Sequence, residues 1–526
     1  MAGETVRLTS ERLWWRTGLA AATVAILCGL ILVQVSRAPE TYPWGDTAIT
    51  SITTLRAARG NLATGAYSRF LWNHPGPLLY QMLAPFYRLS GNREITIKWT
   101  VLILNVGALA GLLSVVARPA AFLSLMIALA LAPLIYREQR LLFWAWNPIV
   151  PLLPMAFATA LSARIAAGRL AFLPLFCAIA SFAVQTHVGF APVVLSLSAT
   201  MIIMLAWRLS RRRFAPAKGE IARSILIAGA VAALLWAVPV VHELTTSDRN
   251  LSALVRFFST TPPPARGWGT TFGIAANQMI GPLAPGWKLT TDIEAPSDAS
   301  WPVVTAAAIQ FPLLLGAGVL AFRRGAVFEG AFALTVLMAS VAGVLAVHAI
   351  VGPVSDYLVI WLAVLGALNL ASIVSEALHI GLDVERRSRV WRWILVAYTL
   401  AAAMLGSTRL VGKHATDARS NIVPTLTASL ERYCRQEGID RPLLRFRGPA
   451  WQVAVGMVLQ FYKAGRPIAL PDETLFLVGD PFRATGRESG EFYLMTMDDT
   501  ALPADITRHL WVTTYGSYRL VRLFRE

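Results

Sequence analysis

Two groups that could do chemistry lie between residues 44 and 77. Asp46 stands in the segment Trp44–Thr47, after an apolar stretch, and His74 stands in the segment Trp72–Pro77. A carboxylate at this place could act as a general base, or it could simply cap a helix that begins at Thr47. Two prolines and a glycine make the second segment a rigid turn. His74 could therefore hydrogen-bond a phosphate, orient Asp46, or be an ordinary turn histidine.

The loop Arg137–Arg140 places two arginines and one acid between long apolar stretches. A guanidinium binds phosphate in bidentate fashion, so Arg137 or Arg140 could clamp an anionic group. Glu138 could then serve as a second acid or as a metal ligand. A solvated hairpin loop would have the same composition, and the residues alone leave both interpretations open.

Polar residues interrupt the apolar pattern at three further places. His187 follows Gln185 and Thr186 inside an apolar hairpin, where it could form a wall of the same cavity or belong to a satisfied polar cluster. Ionisable groups close to a membrane span are costly and usually have a reason. The remaining polar residues are His242, Glu243, His348 and Asp356. We expect five separate loops to supply polar groups to one face of the molecule.

The composition indicates that the elements positioning these groups are membrane spans. Of the 526 residues, 56% are hydrophobic and 15% are charged, and the mean hydropathy is +0.55. Soluble domains carry about a quarter charged residues, so the chain is predicted to be an α-helical polytopic membrane protein. The net charge of +17 lies largely in short clusters between apolar stretches, which are topology signals, and nucleic-acid binding is not expected. Three scattered cysteines imply no disulfide framework or zinc site.

Eleven spans are predicted from the apolar stretches. The first follows arginines and lacks a small-residue cleavage site, so it is interpreted as a retained helix rather than a signal peptide. The stretch 170–207 carries no charge and is roughly two bilayer thicknesses long as a helix, so it must be a hairpin. The predicted spans are 17–36, 99–117, 119–136, 148–163, 170–188, 190–207, 224–242, 302–322, 327–349, 357–377 and 393–410.

The arginine clusters orient these spans. With the N-terminus in the cytoplasm, every cluster between spans falls on the cytoplasmic side, as the positive-inside rule requires. A further span at 77–89 would reverse that pattern for all later clusters. Residues 45–92 are therefore interpreted as an outer loop with two helices lying in the membrane interface, about 47–59 and about 77–89. Asp46 is then on the extracytoplasmic face, and the location is a plasma membrane, the inner one in a bacterium.

Three outer regions are long enough to have structure: 37–98, 243–301 and 411–526. The second is rich in proline and glycine, which predicts an irregular loop with room for one short helix. The third is predicted to be a small α/β domain outside the membrane, following a transmembrane catalytic domain at 1–410. Its helices are expected at 417–438 and 451–464, and its strands at 443–446, 474–478, 491–497, 509–514 and 518–524.

The layout resembles a known family. A first span, an outer loop opening with Gly45-Asp46, two interface helices separated by Arg69 and the turn His74–Pro77, about a dozen spans and a C-terminal outer domain are similar to the GT-C glycosyltransferases. The resemblance is closest to the protein mannosyltransferase and aminoarabinose transferase branch, which uses polyprenyl-phosphate sugars. The family often has Asp-Glu where this chain has Asp46-Thr47, so Glu138 is the candidate for the second acid.

The resemblance implies a reaction. The donor would be a sugar on a polyprenyl phosphate, with its lipid tail in the membrane lipid, and the acceptor a hydroxyl of a saccharide, a lipid or a protein. Asp46 would take the proton of that hydroxyl in an inverting single displacement. Arg137 and Arg140, with Arg69 or His74, would stabilise the departing phosphate. The C-terminal domain would cover the cavity or guide the acceptor.

Two other functions and the question of a metal stay open at this point. A transporter or flippase of a lipid-linked or anionic envelope precursor would use the polar ring as a vestibule, and a noncatalytic assembly factor for envelope polysaccharide would fit the same residues. No phosphate-binding loop or dinucleotide motif is present, and no cofactor is required. One or two carboxylates and a few histidines could hold a divalent metal ion, but no ligand spacing demands one.

Overall fold

The computed structural model describes residues 40–212, 216–262, 266–283, 299–379, 388–413, 421–499, 506 and 508–524. Over these ranges the chain is mainly helical and ends in a small sheet. The predicted first span, 17–36, lies outside the described residues.

Two helices precede the helical bundle and flank the loop that holds His74. Helix α1 spans Gly45–Ala58 and α2 spans Leu78–Leu89, close to the two predicted interface helices. Helix α2 is amphipathic, because Leu83 is buried while Met82 and Phe86 are exposed. Helix α1 differs from the prediction, since every residue from 48 to 55 is buried. Of the two, α2 has the exposed apolar face of an interface helix, and α1 is enclosed by protein.

The bundle and its connections contain fourteen of the helices in the described residues. They are α3 (Glu94–Ala117), α4 (Ala121–Arg137), α5 (Arg140–Phe143), α6 (Leu152–Ala166), α7 (Leu173–Thr186), α8 (Ala191–Ser210), α9 (Glu220–Thr245), α10 (Asn250–Thr260), α11 (Trp268–Ile280), α12 (Trp301–Arg323), α13 (Val327–His348), α14 (Asp356–Val359), α15 (Trp361–His379) and α16 (Ser388–Lys413). Short 3₁₀ turns extend α7 and α8 at their N-terminal ends.

Helices long and apolar enough to cross a membrane occupy the predicted span positions. Within the described ranges there are seven of them, and three shorter apolar helices lie at Ala121–Arg137, Leu152–Ala166 and Leu170–Thr186. Together they coincide with the second to the eleventh predicted spans. The predicted fold class, a polytopic helical membrane protein with a small C-terminal α/β region, is confirmed.

The region 243–301 is more helical than predicted. Helices α10 and α11 occupy much of its described part, and Gly267 and Gly281 flank α11. The glycines therefore stand at helix boundaries instead of marking an irregular loop. The expectation of one short helix was wrong because composition places breakers in a region but not their positions relative to a helix.

The C-terminal segment forms two helices and a four-stranded sheet. Helices α17 (Ile422–Gln436) and α18 (Trp451–Lys463) accompany strands β1 (Pro442–Phe446), β2 (Gly490–Thr496), β3 (Arg508–Tyr515) and β4 (Tyr518–Phe524). The strand order is β1-β2-β4-β3, with β1 parallel to β2 and the other pairs antiparallel.

One predicted strand of this segment, 474–478, was wrong. The residues Asp472–Leu477 form a 3₁₀ helix instead. Short apolar runs do not distinguish a strand from a buried helical turn, and the chain has already made its pairing with β1 upstream, at Ala469. Leu475 and Leu477 are buried in both interpretations, so the apolar pattern alone could not decide.

Helices α1 and α2 share one hydrophobic core with the C-terminal segment. Ile49 and Ile52 of α1 and Leu83 of α2 belong to the same buried cluster as Leu430 and Val455. A separate cluster fills the bundle. The segment 421–524 therefore packs directly on the helix that carries Asp46.

Candidate active site

Asp46 lies in the first turn of α1, beneath the C-terminal segment. The helix begins at Gly45, which has a φ of +55°, and its N-cap residue Trp44 makes no side-chain cap bond. The Asp46 Oδ1 atom accepts a hydrogen bond from the Tyr67 hydroxyl at 2.8 Å. A Cβ atom added at Gly45 would contact Gln452 and Trp451 of α18. The carboxylate is thus held by a tyrosine and lies close to the start of α18.

Asp46 is partly buried and lies near several tyrosines. Burial raises the pKa of Asp46, and the hydrogen bond from Tyr67 opposes this by lowering it. Burial, followed by the nearby charge of Asp46, raises the pKa of Tyr80. Burial raises the pKa of Tyr357 as well; Arg69 lowers it, and Asp46 raises it further. Tyr67 therefore binds the carboxylate, Tyr80 and Tyr357 lie within reach of its charge, and the charge of Arg69 also reaches Tyr357.

A short β-like hairpin at residues 65–74 delivers Tyr67 and Arg69 to this place. Tyr67 and Asn73 form an antiparallel bridge, and the amide of His74 donates to the carbonyl of Ala66 at 2.7 Å. Arg69 lies in the turn between the two paired stretches, where the amide of Leu71 donates to the carbonyl of Ser68 at 3.1 Å. The sequence had indicated a rigid turn here, but not this pairing.

Arg69 ties the hairpin to the loop between α13 and α14. Its Nη2 atom donates to the carbonyls of Val351 at 2.9 Å and Pro353 at 2.8 Å. The side chain is exposed, and its guanidinium lies over the ring of Phe70. Among the predicted phosphate ligands, Arg69 is the one that acts on the same tyrosine as Asp46: Arg69 lowers the pKa of Tyr357, and Asp46 raises it.

His74 and His187 lie together as a buried neutral pair. Their ring centroids are 4.4 Å apart. The Nδ1 atom of His74 accepts from the amide of Val188, and that of His187 from the amide of Gly189, each at 3.1 Å. Burial lowers the pKa of both rings, to about 4 for His187, and His187 lowers that of His74 further.

Because Nδ1 is the acceptor in each ring, the proton of the neutral form is on Nε2. The pair fixes the turn between α7 and α8 against the hairpin. Neither ring would bring a positive charge to a phosphate at neutral pH.

The charged side chains of the loop between α4 and α5 are bonded to one another or to a nearby carbonyl. Arg140 pairs with the buried Glu138 through two hydrogen bonds of 2.6 Å, from Nε to Oε1 and from Nη2 to Oε2. The Nη1 atom of Arg137 donates to the carbonyl of Pro282 at 3.0 Å. The predicted second acid and one predicted phosphate clamp are thus partners of each other.

A line of aromatic rings connects this loop with Asp46. Arg140 lies over the ring of Trp144, which packs on Trp146 at 4.6 Å between centroids. Trp146 packs in turn on Tyr357 at 4.9 Å, and Tyr357 is electrostatically coupled to Asp46. The packed rings therefore run from the loop to Tyr357, which lies within reach of the charge of Asp46, and the structure gives no direct contact between Glu138 and Asp46.

The other polar residues of the predicted ring have local partners. Glu243 accepts from the amides of Leu251 and Ser252 at the start of α10. His348 stacks on Trp268 at 3.9 Å between centroids. Asp356 accepts from Gln278 at 3.0 Å. These contacts lie at loops on the same end of the bundle as the hairpin, and they hold those loops to one another.

A cavity of about 820 Å³ opens beside the hairpin. Its wall is formed by Thr53 and Arg56 of α1, by residues 60–65, 67–68 and 71–73, by the C-terminal end of α9 and the start of α10, and by residues of the segment 472–483. Tyr67 belongs to this wall and also binds Asp46. Within the ranges that the structure describes, no three His, Cys, Asp or Glu side chains are close enough together to hold a metal ion.

No family model matches the chain, and no curated protein matches it. Among solved structures, the chain is similar to a crystal structure of ArnT from Cupriavidus metallidurans bound to undecaprenyl phosphate. The match covers 96% of this chain and 98% of ArnT, with a TM-score of 0.51 and 14% sequence identity. The chain has the fold of ArnT, a GT-C fold. At this identity the likeness is one of fold, and it spans the bundle and the C-terminal segment together.

The structure shows contacts of the site that sequence reasoning did not predict. Sequence reasoning named Asp46, the hairpin and the loop Arg137–Arg140, but it missed Tyr67, Tyr80 and Tyr357. Tyrosines at a membrane surface are common interface residues, so nothing in the sequence set these three apart.

Proposed function

We propose that this ArnT-like chain is a membrane glycosyltransferase that moves a sugar from a polyprenyl-phosphate-linked donor to an acceptor hydroxyl. The observation that carries the proposal is Asp46, a desolvated carboxylate held by a neutral tyrosine hydroxyl at the junction of α1, the hairpin and the C-terminal segment. A general base needs a fixed position and an adjustable proton affinity, and this environment supplies both. The neighbour ArnT, whose crystal structure contains undecaprenyl phosphate, supports the choice of donor.

The reaction is an inverting single displacement. Asp46 takes the proton from the acceptor hydroxyl as its oxygen bonds to the anomeric carbon. The bond between that carbon and the phosphate oxygen breaks, and the polyprenyl phosphate leaves from the opposite face with the electron pair. Assistance by a general base contributes about 10²–10⁴-fold to the rate.

Arg69 and the loop Arg137–Arg140 stabilise the leaving phosphate in this proposal. Arg69 is exposed, as a phosphate ligand must be, and its charge reaches Tyr357, as that of Asp46 also does. Glu138 holds the guanidinium of Arg140 in a fixed orientation through the bidentate pair. Preorganised cations of this kind supply a large part of catalysis where charge develops.

The site faces away from the cytoplasm in this proposal, and the membrane is the bacterial inner membrane. The support is the arginine pattern of the sequence, since the clusters that mark the cytoplasmic side lie at the end of the bundle opposite Asp46. One such residue, Arg324, pairs with the buried Glu376 between α12 and α15 at 2.8 Å. A lipid-linked donor suits the extracytoplasmic face because nucleotide sugars are not available there, whereas a polyprenyl phosphate can present its sugar on that side of the membrane.

Sugar transfer in detergent tests the proposal. Purified chain, a polyprenyl-phosphate sugar and a mixture of saccharide, lipid and peptide acceptors should give a glycosylated product with inverted anomeric configuration. Asp46→Asn keeps an acceptor for the Tyr67 hydroxyl but removes the base, and it should abolish the product. Asp440→Asn, at an exposed position of the C-terminal segment, is the matched control and should be active. A wild-type chain that is inert in detergent but moves lipid across sealed vesicles would contradict the enzyme and favour a transporter.

A further inference from the structure

The cavity of about 820 Å³ is not explained by the base or by the phosphate ligands. Asp46 and Arg69 are absent from its wall, but Tyr67 is part of it. Ligand cavities are commonly about 300–1,000 Å³, so the size suits a small molecule or the end of a larger one. The cavity reaches Tyr67, whose hydroxyl binds Asp46, so a ligand in the cavity would end one side chain away from the proposed base.

The wall of the cavity offers hydrogen-bonding groups of both kinds. The side chains of Asn61, Thr64, Asn73 and Thr246 line it, and each hydroxyl or amide can donate and accept. The backbone of Asn73 also makes two hydrogen bonds with the side chain of Asn250: the N–H of Asn73 donates at 2.9 Å, and its carbonyl oxygen accepts at 3.0 Å. Such a surface is complementary to a ligand with many hydroxyl groups.

The charge of the cavity argues against a phosphate. Three aspartates, Asp248, Asp472 and Asp480, line it against the two arginines Arg56 and Arg483. Arg483 pairs with Asp472 at 2.6 Å and with Asp480 at 2.7 Å, and Arg56 donates to the carbonyl of Val478 at 2.9 Å. The carboxylates of the wall outnumber its guanidinium groups, so the wall carries a net negative charge that disfavours an anionic ligand. The lipid phosphate is expected near Arg69, outside this cavity.

An exposed aromatic ring completes the wall. Phe476 is 39% exposed and packs edge-on against Tyr67, with 5.9 Å between centroids. The face of an aromatic ring is electronegative and attracts the polarised C–H groups of a sugar ring. Phe476 comes from the 3₁₀ helix of the C-terminal segment, so that segment contributes directly to the cavity.

One side of the cavity is apolar and belongs to a membrane helix. Val238 and Val241 of α9 line it and are 39% and 56% exposed, and α9 is long and apolar enough to cross a membrane. The cavity is therefore bounded by a membrane-facing helix below and by polar loops above. A saccharide could reach it from solution or from a lipid anchor.

We infer that this cavity is the acceptor subsite and that it binds an uncharged or cationic saccharide, with Phe476 under a sugar ring and Tyr67 next to the attacking hydroxyl. The inference rests on the proposed function and narrows its acceptor from a saccharide, lipid or protein to a saccharide. Phe476 and Asn61 are the residues that recognise the acceptor, and Arg69 has no part in its binding.

Saccharide binding can be measured without any transfer. Saturation-transfer NMR on the detergent-solubilised full chain, with methyl glycosides of hexoses and pentoses as probes, should detect binding to the wild type. Phe476→Ala should weaken it about tenfold, the loss expected for one aromatic contact. Phe86→Ala removes an exposed phenylalanine of α2 outside the cavity and should leave binding unchanged. Equal losses in both variants, or displacement of the glycosides by inorganic phosphate, would overturn the inference.

Kinetics separate this inference from the proposed function. With a polyprenyl-phosphate sugar, Phe476→Ala should raise the acceptor KM about tenfold, while release of polyprenyl phosphate to water without acceptor stays within about twofold of the wild type. If Phe476→Ala slowed sugar transfer and acceptor-free release of polyprenyl phosphate to the same extent, the assignment of the acceptor subsite would be overturned. A chain that binds glycosides but transfers no sugar would contradict the proposed function and support the subsite. Comparing a free oligosaccharide with the same saccharide on a lipid anchor then assigns the source: a lower KM for the anchored form assigns a lipid-linked acceptor, and an equal KM a soluble one.

Discussion

Two carboxylates beneath the C-terminal segment are held in opposite ways. Glu94, the first residue of α3, accepts from Ser51 and Tyr87, each at 2.5 Å, and pairs with Lys463 of α18 at 2.6 Å. Asp46 accepts from the neutral hydroxyl of Tyr67. The influences on the pKa of Asp46 are burial and this hydrogen bond, and no cation is among them.

The difference separates an anchor from a base. A carboxylate paired with a lysine in a dry environment gains most by keeping its charge, and breaking the pair leaves one charge uncompensated. A carboxylate held by a hydroxyl can gain a proton without leaving a charge unpaired. Glu94 therefore joins α1, α2 and α3 to α18, while Asp46 is the group whose proton can change hands.

The largest expected effect comes from exchanging each carboxylate for its amide. Asp46→Asn should lower the rate of sugar transfer by about 10²–10⁴-fold with little change in Tm, because the general base is lost and the hydrogen bond from Tyr67 is kept. Glu94→Gln should lower Tm and keep kcat per folded molecule within about tenfold of the wild type. Transfer assays and thermal unfolding in the same detergent measure both. The comparison fails if Glu94→Gln is as inactive as Asp46→Asn while still folded.

Lys463→Met should destabilise the chain by about 3–5 kcal/mol, since it leaves Glu94 buried without its cation. The side chains of both partners are largely buried, at 14% and 4% exposed, so solvent cannot replace the lysine. Limited proteolysis, used to monitor unfolding of the C-terminal segment, measures this loss of stability. Combining Lys463→Met with Glu94→Gln removes both charges and should restore much of the stability; a double variant no more stable than Lys463→Met would contradict the anchor.

Glu138 tests the comparison at a third carboxylate. Because it pairs with Arg140 through two hydrogen bonds, it resembles Glu94 more than Asp46. Glu138→Gln and Arg140→Lys both break the bidentate pair. A glutamine offers one acceptor oxygen instead of two, and a lysine lacks the planar fork of a guanidinium. Each should lower kcat/KM for the donor by about tenfold, the value of one charge-assisted contact. If Glu138→Gln is as inactive as Asp46→Asn and Arg140→Lys is silent, Glu138 is instead the second acid.

The positions of the long apolar helices in the described residues could be predicted from the sequence, because apolar length is a local signal. The burial of α1 could not, since it depends on packing between residues about 400 positions apart along the chain, such as Ile49 and Val455, which belong to one buried cluster. The ion pair of Glu94 with Lys463 could not be predicted for the same reason. Neither residue stands in a motif, and their pairing depends on the fold.

Within the site, the sequence indicated which residues carry charge but not which are already engaged. Asp46 and Arg69 were named, and the structure places both near Tyr357. His74 and His187 were named as phosphate or wall residues, and they form a neutral pair because both rings are buried and accept backbone amides. Desolvation and partnership decide the charge of a group, and residue type alone reports neither.

The smallest effect should come from Tyr67→Phe, and it concerns pH rather than maximal rate. Burial raises the pKa of Asp46, and the hydrogen bond from Tyr67 lowers it, so losing the hydroxyl should raise that pKa further. A general base must be ionised, and transfer therefore falls as the pH drops through the pKa of Asp46. The acidic limb of the pH–rate profile should move to higher pH in Tyr67→Phe, while the rate at high pH, where Asp46 is ionised in both proteins, changes little. Tyr80→Phe is the matched control, because Tyr80 feels the charge of Asp46 but its hydroxyl is not the donor in the bond to Oδ1. An acidic limb that stays in place, or that moves equally in both variants, would show that the tyrosine hydroxyl does not stabilise the ionised base, and Asp46 would lose the feature that sets it apart from Glu94.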